Sequence, residues 1–380
     1  MLIHQGIISQ ARFVIVLNGM ERASFSANIV KLAEADKVCR IVHRGVRLLY
    51  IVTGGAGFIG SNLVHELNSH GTRDILIVDS VADRRKLENL EGAQYVELMD
   101  KSAFRRAIRE RSLGTDRVEA ILHQGACSNT LEDDDAYLMD NNCEYSKDVL
   151  RFAADLGAPF VFASTAAVYG AGGPGRFALR AENEHPLNMY GHSKLMFDNY
   201  FRGLLASGAL QCTAVGLRYF NVYGAREGHK GRMASVVHQF RKQMAEHGRI
   251  RIFKGSGGYG DGQQRRDFVY VRDLARLNMF FAQIGPYAPG RNEPAKVYHG
   301  LANAGSGVSR SFNDVARALM NLHGDCPVDY LPFPPDLEGR YQHFTEADLS
   351  SLRELGYHGT MMTLEEGLAD MHETCNSAAS

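Results

Sequence analysis

Runs of apolar, β-branched and aromatic residues alternate along the chain with stretches that have helical spacing. The first run, LLYIVT at 48–53, stops at a glycine cluster, and the second, at 74–79, ends in a carboxylate. Between them, residues 62–67 carry apolar side chains at helical spacing, so we expect a helix to begin near Phe58. Strands that are apolar throughout are typical of parallel sheets covered on both faces. The pattern therefore predicts a β-α-β unit.

Further strands are predicted at 120–123 and 159–163, and further helices at 101–111 and 145–154. Strands that alternate with helices indicate an α/β fold built on a doubly wound parallel sheet. Ligands of such a sheet bind beyond the carboxyl ends of its strands. Functional side chains are therefore expected directly after the strands.

The second half of the chain is less regular. It contains a glycine-rich stretch at 255–262, a proline-rich segment at 327–335 and helical patterns at 311–322 and 345–355. Because a strand pattern returns at 267–271, the chain is expected to cross between two domains more than once. The predicted organisation is a cofactor-binding Rossmann-like domain (48–220 and 267–303), a smaller mixed α/β C-terminal substrate domain (221–266 and 304–380) and an unassigned N-terminal extension (1–47).

Residues 1–47 include several arginines and lysines and a short apolar run, but no small-residue cleavage pattern. They fit neither a secretory signal nor a clear transit peptide. The first predicted strand follows at once, so we expect either an upstream start assignment or a disordered arm that activity does not require.

Composition narrows the class of function. The 42 Lys and Arg and 43 Asp and Glu give a net charge of −1, which provides no field to hold a polyanion, so nucleic acid is not an expected partner. The six cysteines lie far apart without a C-x-x-C pair. This fits neither a disulfide framework nor a zinc site, so no metal is predicted and a reducing cytoplasm is expected. The longest apolar runs have strand length, so no membrane span is expected.

The segment TGGAGFIG at 53–60 fits G-x-G-x-x-G between a strand and a helix, the context that distinguishes a dinucleotide fingerprint from a chance glycine cluster. Small residues let the backbone approach a pyrophosphate, and the amides at the start of the helix meet its negative charge. Gly54, Gly57 and Gly60 are therefore expected to bind a dinucleotide. The alternative, a plain strand-to-helix turn, is disfavoured because Asp79 ends the second strand nineteen residues after Gly60.

Asp79 stands where a carboxylate accepts hydrogen bonds from the adenosine ribose, which favours NAD because it would repel a 2′-phosphate. Arg84, Arg85 and Lys86 follow within seven positions and could neutralise such a phosphate, or form a solvated basic turn. The residues alone therefore leave NAD and NADP open.

Tyr190 and Lys194 stand four residues apart in YGHSK, on one face if the segment is helical. A tyrosine with a pKa of about 10 is a poor base at neutral pH, but a nearby ammonium favours the phenolate and can also hold the nicotinamide ribose. Tyr190 is thus a candidate general acid and base for interconverting an alcohol and a ketone. Upstream, Thr165 lies at a predicted strand end and can hydrogen-bond the reacting oxygen.

TGGAGFIG, STAAVYG (164–170) and YGHSK in this order resemble the extended short-chain dehydrogenase/reductases that act on nucleotide sugars. The resemblance covers nearly everything from Leu48 onward. Further pieces resemble the branch that inverts C6 of ADP-heptose for the inner core of lipopolysaccharide, and REGHKG discriminates most among them: QGACS (124–128), MDNN (139–142), RYFNVYG (218–224), REGHKG (226–231), RRDFVYV (265–271) and GRYQ (339–342).

The resemblance implies transient oxidation of a carbinol to a ketone by tightly held NADP⁺, followed by reduction from the opposite face. A single acid/base cannot serve both faces well, because each hydride transfer needs a proton moved on the opposing side. The family uses a tyrosine and a second lysine, which fall here on Tyr190 and Lys230. Lys230 lies in a glycine-flanked loop and, without the resemblance, would be interpreted as a surface lysine.

The resemblance also assigns binding residues. Contacts with NADP are expected from Phe58, Ile59, Asp79, Ser80, Lys86, Lys101, Gln124, Gly125, Ala126, Cys127, Ser128, Asn141, Lys194 and Val222. Contacts with the ADP-sugar are expected from Asn221, Phe253, Lys254, Gly255, Ser256, Arg266 and Tyr341. Arg266 suits a diphosphate because a guanidinium forms bidentate, charge-assisted hydrogen bonds, although an isolated arginine is more often a salt-bridge partner.

Three features depart from the family pattern. Arg232 stands where serine is usual and Gln239 where histidine is usual, so their expected substrate contacts are open. An insertion at 257–264 lengthens a glycine-rich loop and is expected to reshape the sugar-side entrance. The expected partners are a nucleotide sugar, ADP-heptose, and further copies of the chain in a homo-oligomer, a pentamer by resemblance.

Two alternatives remain open. Another nucleotide-sugar epimerase or dehydratase of the same fold, such as a UDP-hexose 4-epimerase, would share the fingerprint and the tyrosine–lysine pair but would not need REGHK. A catalytically silent NADP-binding regulatory protein could lose its acid/base groups, yet Thr165, Tyr190, Lys194 and Lys230 are all present.

Overall fold

A computed structural model describes residues 48–114, 117–130, 132–290, 292–334 and 341–377. The predictions for residues 1–47 lie outside these described residues. In the described ranges, no helix combines the length and the apolar character that crossing a membrane requires.

The strands follow one another from β1 to β12. They are β1 (Leu48–Thr53), β2 (Ile75–Asp79), β3 (Glu97–Asp100), β4 (Arg117–His123), β5 (Phe160–Thr165), β6 (Ala214–Tyr219), β7 (Asn221–Tyr223), β8 (Ile250–Phe253), β9 (Arg265–Tyr270), β10 (His299–Ala304), β11 (Ser309–Ser311) and β12 (Val328–Leu331). The strands predicted in the first half of the chain are confirmed, with ends shifted by a few residues.

The helices alternate with these strands. They are α1 (Phe58–Ser69), α2 (Arg84–Leu87), α3 (Lys101–Arg109), α4 (Asp135–Leu138), α5 (Tyr145–Leu156), α6 (Met189–Ala206), α7 (Val236–His247), α8 (Val271–Ala282), α9 (Phe312–His323), α10 (Ser350–Glu354) and α11 (Leu364–Ser377). A π-helical turn, Met139–Glu144, joins α4 to α5, and a 3₁₀ turn, Gly228–Met233, follows β7.

The larger sheet has seven parallel strands in the order β10-β6-β5-β4-β1-β2-β3. The strand order reverses at β1 and β4, as in Rossmann-like sheets, so the expected ligand crevice lies beyond the ends of these two strands. Two small sheets, β11-β9-β7 and β12-β8, complete the fold. The predicted α/β doubly wound class is confirmed.

Successive side chains of the central strands enter two different apolar clusters. Val52 and Ile77 lie in one cluster, and Ile51 and Leu76 lie in the other. This alternation follows from the pleat of a strand and shows that helices cover both faces of the sheet. Full burial of each such side chain contributes about 1.5–3 kcal/mol, so the sheet is a rigid base for the residues at its edge.

The helix predicted at 345–355 is wrong for its first half, because α10 covers Ser350–Glu354 alone. The residues before α10 form hydrogen bonds with Asp267 on β9. Its carboxylate accepts the N–H of Ala347 at 2.9 Å, and its own N–H donates to the Thr345 hydroxyl at 3.0 Å. Together with the bond from the Thr345 N–H to the Arg265 carbonyl at 3.1 Å, these tertiary bonds hold the segment beside β9.

The chain returns to the large sheet after leaving it. β9, predicted as a strand at 267–271, pairs with β7 and β11 in a small sheet, whereas β10 lies beside β6 in the large one. The domain boundaries drawn from the sequence stay a prediction.

Candidate active site

The glycine-rich turn between β1 and α1 packs against the backbone that follows β4. Gly54 has a φ of +67°, and a Cβ added there would lie 2.6 Å from the Gly125 nitrogen. At Gly60, an added Cβ would lie 2.1 Å from the Gly54 carbonyl oxygen. Gly57 precedes α1 and gives its first amides no side-chain cap. In the described part of the chain, no hydrogen bond takes up the N–H groups of Phe58, Ile59 and Gly60, so the start of α1 fits the pyrophosphate of a dinucleotide.

Asp79 is anchored to this turn. Its Oδ2 accepts the Ala56 N–H at 2.9 Å, and its Oδ1 accepts the Ser80 N–H at 2.7 Å and the ammonium of Lys86. Lys86 thus turns toward the carboxylate, whereas Arg85 makes an exposed contact with Asp83. The structure places a carboxylate and a cation together at the end of β2.

The loop after β4 is held by asparagine and glutamine side chains. Gln124 donates to Asn278 at 2.8 Å and accepts the Tyr219 hydroxyl at 2.9 Å. Asn142 accepts the Cys127 N–H at 2.8 Å and donates to the Cys127 carbonyl at 3.0 Å. The π-helical turn that carries Asn142 is a feature frequent at functional sites.

The same turn joins other predicted cofactor residues. Asn141 accepts the Lys101 ammonium at 2.6 Å, and Asn142 donates to the Ser193 hydroxyl at 3.1 Å on α6. The predicted residues Ala126, Cys127 and Ser128 follow Gly125 on the loop after β4, while Ile59 lies in the first turn of α1. The predicted cofactor residues therefore lie on the segments that follow β1, β2 and β4 or are hydrogen-bonded to one another, and their cofactor contacts stay a prediction.

The first turn of α6 brings Tyr190 to the end of β5. The Asn188 side chain caps the helix by accepting the Gly191 N–H at 2.9 Å. At Gly191, an added Cβ would lie 3.1 Å from the Ala167 carbonyl oxygen, so glycine permits the close approach of the two elements. Tyr190 and Lys194 both lie in this helix, so they share one face, the condition that the sequence left open. The Thr165 side chain hydrogen-bonds Tyr190 and so brings these two groups together.

Burial shifts both groups of the tyrosine–lysine pair. It raises the pKa of Tyr190, and the hydrogen bond from Thr165 opposes this rise. Lys194 is 3% exposed, and burial lowers its pKa to about 8, although Asp198 acts in the opposite direction. The ammonium also faces His123, whose pKa falls to about 3 through burial and, to a lesser extent, through Lys194. Lys194 is therefore a cation that loses its proton near pH 8.

A buried ion pair fixes α6 on the sheet. Asp198 Oδ2 accepts Nε and Nη2 of Arg218 at 3.0 and 2.9 Å, and the Ser164 hydroxyl at 2.9 Å. Arg218 also pairs with Glu184 at 2.7 Å and lies over the Tyr169 ring at 5.0 Å from its centroid. The helix that carries Tyr190 and Lys194 is thereby bonded to β5 and β6.

Lys230 lies on the 3₁₀ turn after β7, with its Nζ 5.4 Å from the centre of the Phe58 ring. Burial lowers its pKa and Glu227 opposes the shift. Within the described ranges, no carboxylate lies within 4.0 Å of its ammonium. Lys230 is therefore a partly buried amine beside the first residue of α1, and no hydrogen bond in the described ranges joins it to Tyr190.

Two asparagines dock the Lys230 turn on the glycine-rich turn. Asn89 donates to the Ala56 carbonyl at 2.9 Å and contacts His229 Nδ1 at 3.0 Å. Asn62 donates to the carbonyls of Phe58 at 2.8 Å and Ala225 at 2.9 Å. Two residues that precede Lys230, Ala225 and His229, are thus tied to the elements around the glycine-rich turn.

Arg232 lies on this turn, and Gln239 lies on α7, which follows it. Arg232 is exposed, and Gln239 Nε2 donates to the Gly231 carbonyl at 2.7 Å. Their substrate contacts stay predictions, but Gln239 has a partner within the protein.

Arg266 is the buried cation of the substrate side. It is 6% exposed, and its guanidinium carbon lies 4.7 Å from the Tyr341 ring centre and 5.6 Å from that of Phe312. Its Nη1 donates to the Arg265 carbonyl at 2.9 Å, and in the described part of the chain it has no salt bridge. A buried cation with spare donors fits an anionic group such as a diphosphate.

The lengthened glycine-rich loop packs beside Arg266. Ser256 accepts the Gln264 amide at 3.1 Å and contacts His343 at 3.3 Å. The rings of Phe253, Phe333 and Tyr341 form a chain of contacts with centroids 5.9 and 5.3 Å apart. Lys254 is exposed, and Gly255 donates its N–H to Asp261 at 2.8 Å. The substrate residues predicted at 253–256 therefore adjoin Tyr341 and Arg266.

The strand β7 connects the two sides of the site. Asn221 accepts the Thr345 hydroxyl at 2.9 Å and lies opposite Phe268, while Val222 lies opposite Val269 on the strand that carries Arg266. Among the described residues, no hydrogen bond joins Arg266 to Tyr190 or Lys230.

Sequence reasoning did not single out several residues that hold the site together. These are Asn62, Asn89, Asn142, Asp198 and Glu227. Asn142 and Glu227 lie inside the MDNN and REGHKG motifs, so their motif membership was a usable signal. Asp198 stands four residues after Lys194 on a helix, which also indicates proximity.

Comparisons with known proteins agree with this geometry. A sequence model described as the NAD dependent epimerase/dehydratase family matches residues 50–288. The chain is 47% identical over 320 residues to ADP-L-glycero-D-manno-heptose-6-epimerase of Alkalilimnicola ehrlichii, covering 84% of this chain and 95% of the relative. It is 42% identical over 334 residues to the protein of the same name from Thiobacillus denitrificans, covering 84% and 96% of the two chains.

A solved structure is similar over a comparable span. The crystal structure of Helicobacter pylori ADP-L-glycero-D-manno-heptose-6-epimerase superposes with a TM-score of 0.70 at 28% identity. The match covers 89% of this chain and 99% of that one.

Proposed function

The chain belongs to the NAD dependent epimerase/dehydratase family, and from that premise we propose that it is an isomerase that inverts C6 of ADP-D-glycero-D-manno-heptose to give the L-glycero epimer for lipopolysaccharide core synthesis. The observation that carries the proposal is the position of Lys230. Its ammonium lies beside Phe58 at the start of α1, so a second acid/base candidate stands at the cofactor crevice in addition to Tyr190. The choice of substrate in this proposal is taken from the names of the relatives.

The reaction needs two proton-handling groups. Direct removal of the hydrogen on an unactivated carbinol carbon is implausible, so inversion proceeds through a ketone. A nicotinamide supplies reversible hydride transfer when bound, and the proposal assigns Gly54, Gly57, Asp79 and Gln124 to hold it, a role that their close backbone packing and hydrogen bonds support. The protein's own groups then move the hydroxyl proton on each face.

Tyr190 and Lys230 fit these two roles differently. Tyr190 exchanges a proton at its phenol oxygen, assisted by the hydrogen bond from Thr165, which lowers its pKa against the effect of burial; Lys194 follows one helical turn later. Burial lowers the pKa of Lys230, which increases the fraction of free amine available to accept a proton. The ADP part of the substrate is assigned to the Arg266 side, where a guanidinium without a carboxylate partner can bind the diphosphate.

We also propose NADP as the cofactor. Lys86 neutralises Asp79, which removes the repulsion that a lone carboxylate would exert on a 2′-phosphate. Acid extraction of the purified protein and chromatography of the released nucleotide test this: NADP is expected, and NAD alone would contradict it.

The first test is to incubate the purified chain with ADP-D-glycero-D-manno-heptose without added cofactor and to follow the C6 epimer by NMR. Turnover would support both the substrate and a retained, recycled nucleotide. Absence of turnover with added NADP⁺ and NAD⁺, alongside conversion of a UDP-hexose at C4, would favour the 4-epimerase alternative instead.

A homo-oligomer, by resemblance a pentamer, and a cytoplasmic location complete the proposal. Light scattering after size-exclusion chromatography measures the first, and a monomer at assay concentration would contradict it. Fractionation of cells that express the full chain measures the second.

A further inference from the structure

The carboxylate of Glu227 lies inside the turn that carries Lys230. Glu227 is 1% exposed, and its two oxygens accept the Ser235 N–H at 2.6 Å, the Ser235 hydroxyl at 2.7 Å and the Gly224 N–H at 3.3 Å. The Glu227 carbonyl accepts the N–H of Lys230 at 3.0 Å. One residue therefore bonds to the start of the turn, to its end and to the lysine backbone.

These bonds define the path of the chain on both sides of Lys230. Gly224 follows β7, and Ser235 caps α7 by accepting the His238 N–H at 3.2 Å. Between them, Gly231 has a φ of +54°, so the turn departs from helical geometry directly after the lysine. A buried carboxylate is stable only when donors surround it, so its presence fixes the distance between β7 and α7.

The same carboxylate is the negative charge felt by the lysine. Burial lowers the pKa of Lys230 and Glu227 opposes this effect, although the two side chains make no salt bridge in the described ranges. The Lys230 ammonium instead faces the Phe58 ring. Glu227 thus acts on Lys230 through a backbone hydrogen bond and through its charge. In the described ranges, it accepts no hydrogen bond from the Lys230 ammonium.

We propose that Glu227 is a positioning residue that holds the Lys230 turn closed, so that the amine faces the cofactor crevice and leaves its donors free for substrate. The inference rests on the proposed function, because it assigns a support to one of its two acid/base groups. It differs from a purely structural role in one respect: removal of the carboxylate must change the titration of Lys230 itself.

The chain contains a matched control at the start of α11. Glu366 Oε2 accepts the N–H and the hydroxyl of Thr363 at 2.8 and 2.9 Å, the same carboxylate–hydroxyl arrangement on an exposed surface. Glu366→Gln therefore removes the same type of cap away from the site.

The activity test compares Glu227→Gln and Glu227→Ala with Glu366→Gln. We expect kcat to fall by about tenfold in Glu227→Gln and about a hundredfold in Glu227→Ala, a fraction of what a general base supplies, while KM changes by less than about twofold. Glu366→Gln should leave both constants unchanged. A rise in KM with unchanged kcat, or unchanged kcat in the folded Gln variant, would overturn the proposal. The Gln variant decides the matter if the Ala variant does not fold.

A second measurement does not depend on turnover. Lysines of the holoenzyme are reductively methylated with ¹³C-formaldehyde, and the Lys230 signal is assigned by its absence in Lys230→Arg. Its titration should move to lower pH in Glu227→Gln and stay in place in Glu366→Gln. An unmoved titration in Glu227→Gln would refute the coupling. If the wild-type chain does not epimerise ADP-heptose, the proposed function fails, but this titration still decides the role of Glu227.

Discussion

The two lysines of the site differ in what holds them. Lys194 lies inside an eighteen-residue helix, is 3% exposed, and stands one turn from Asp198, whose pairing with Arg218 is fully buried. Lys230 lies on a 3₁₀ turn, is partly buried, and is held by Glu227 and two asparagine contacts. Burial lowers the pKa of both, and a carboxylate nearby in sequence opposes the shift in each case.

The difference separates two ways to position an amine. The helix places Lys194 by packing and a buried ion pair, so its position follows from the fold as a whole. The turn places Lys230 by individual polar bonds, each contributing about 1 kcal/mol, so its position can be altered locally.

The largest expected effect is on catalysis at the turn. Lys230→Ala should lower kcat by about 10²–10⁴-fold, the usual contribution of a general acid or base, with little change in stability. Steady-state epimerisation kinetics and thermal unfolding measure the two quantities. Lys242→Ala, on the exposed face of α7, serves as the control and should retain full activity. Equal activity of the two variants would mean that Lys230 is a surface lysine without a role in catalysis.

On the helix side, the large effect is expected on stability. Asp198→Asn removes the charge that accepts two bonds from Arg218 and leaves a buried guanidinium with Glu184 alone, which should lower the free energy of unfolding by about 3 kcal/mol. Guanidinium chloride unfolding measures this change. The exposed pair of Lys242 and Glu246 gives the comparison, because Glu246→Gln should change stability by less than about 0.5 kcal/mol. A similar small loss in Asp198→Asn would show that the helix does not depend on the pair.

The helix lysine should also make stability depend on pH. Its pKa in the folded protein is about 8, below the ordinary value of 10.5, so the unfolded chain binds more protons between these pH values. Stability should therefore rise with pH through this window, with a slope of at most about 1.4 kcal/mol per pH unit from this group.

Lys194→Met abolishes the titration while retaining the length of the side chain. The difference in unfolding free energy between wild type and this variant should change between pH 8 and 10.5, whereas Lys242→Met should track the wild type. A constant difference would mean that Lys194 titrates normally in the folded protein.

The helix half of the site was also the more predictable from sequence. The apolar run at 48–53, the glycine fingerprint and the helix start near Phe58 are local signals, so periodicity and turn chemistry suffice for them. The failure at 345–349 shows the limit, because Asp267, 78 and 80 residues away in sequence, bonds to the Thr345 hydroxyl and to the Ala347 N–H. No local pattern records such a partner.

The turn half was predicted through its motif, without its supports. REGHKG indicated Lys230, but the docking partners Asn62 and Asn89 lie more than a hundred residues upstream, on and after α1. Their amides join backbone carbonyls, and an asparagine in a sequence gives no sign of which carbonyl it will meet. The positions of polar bonds between distant segments therefore require the structure.

Gln239 gives the smallest and most discriminating test of the turn. Gln239→Ala removes the hydrogen bond to the carbonyl of Gly231, the residue after Lys230. A neutral hydrogen bond contributes about 1 kcal/mol. We therefore expect kcat to fall less than about tenfold and KM to stay unchanged. Gln243→Ala is the matched control one helical turn later. Gln243 also bonds to the backbone, but as an acceptor of the Arg251 N–H at 2.7 Å, away from the lysine. If Gln239 instead contacts the sugar, as the resemblance implies, KM should rise while kcat holds. The split between the two constants thus distinguishes a residue that holds the turn from one that binds the substrate.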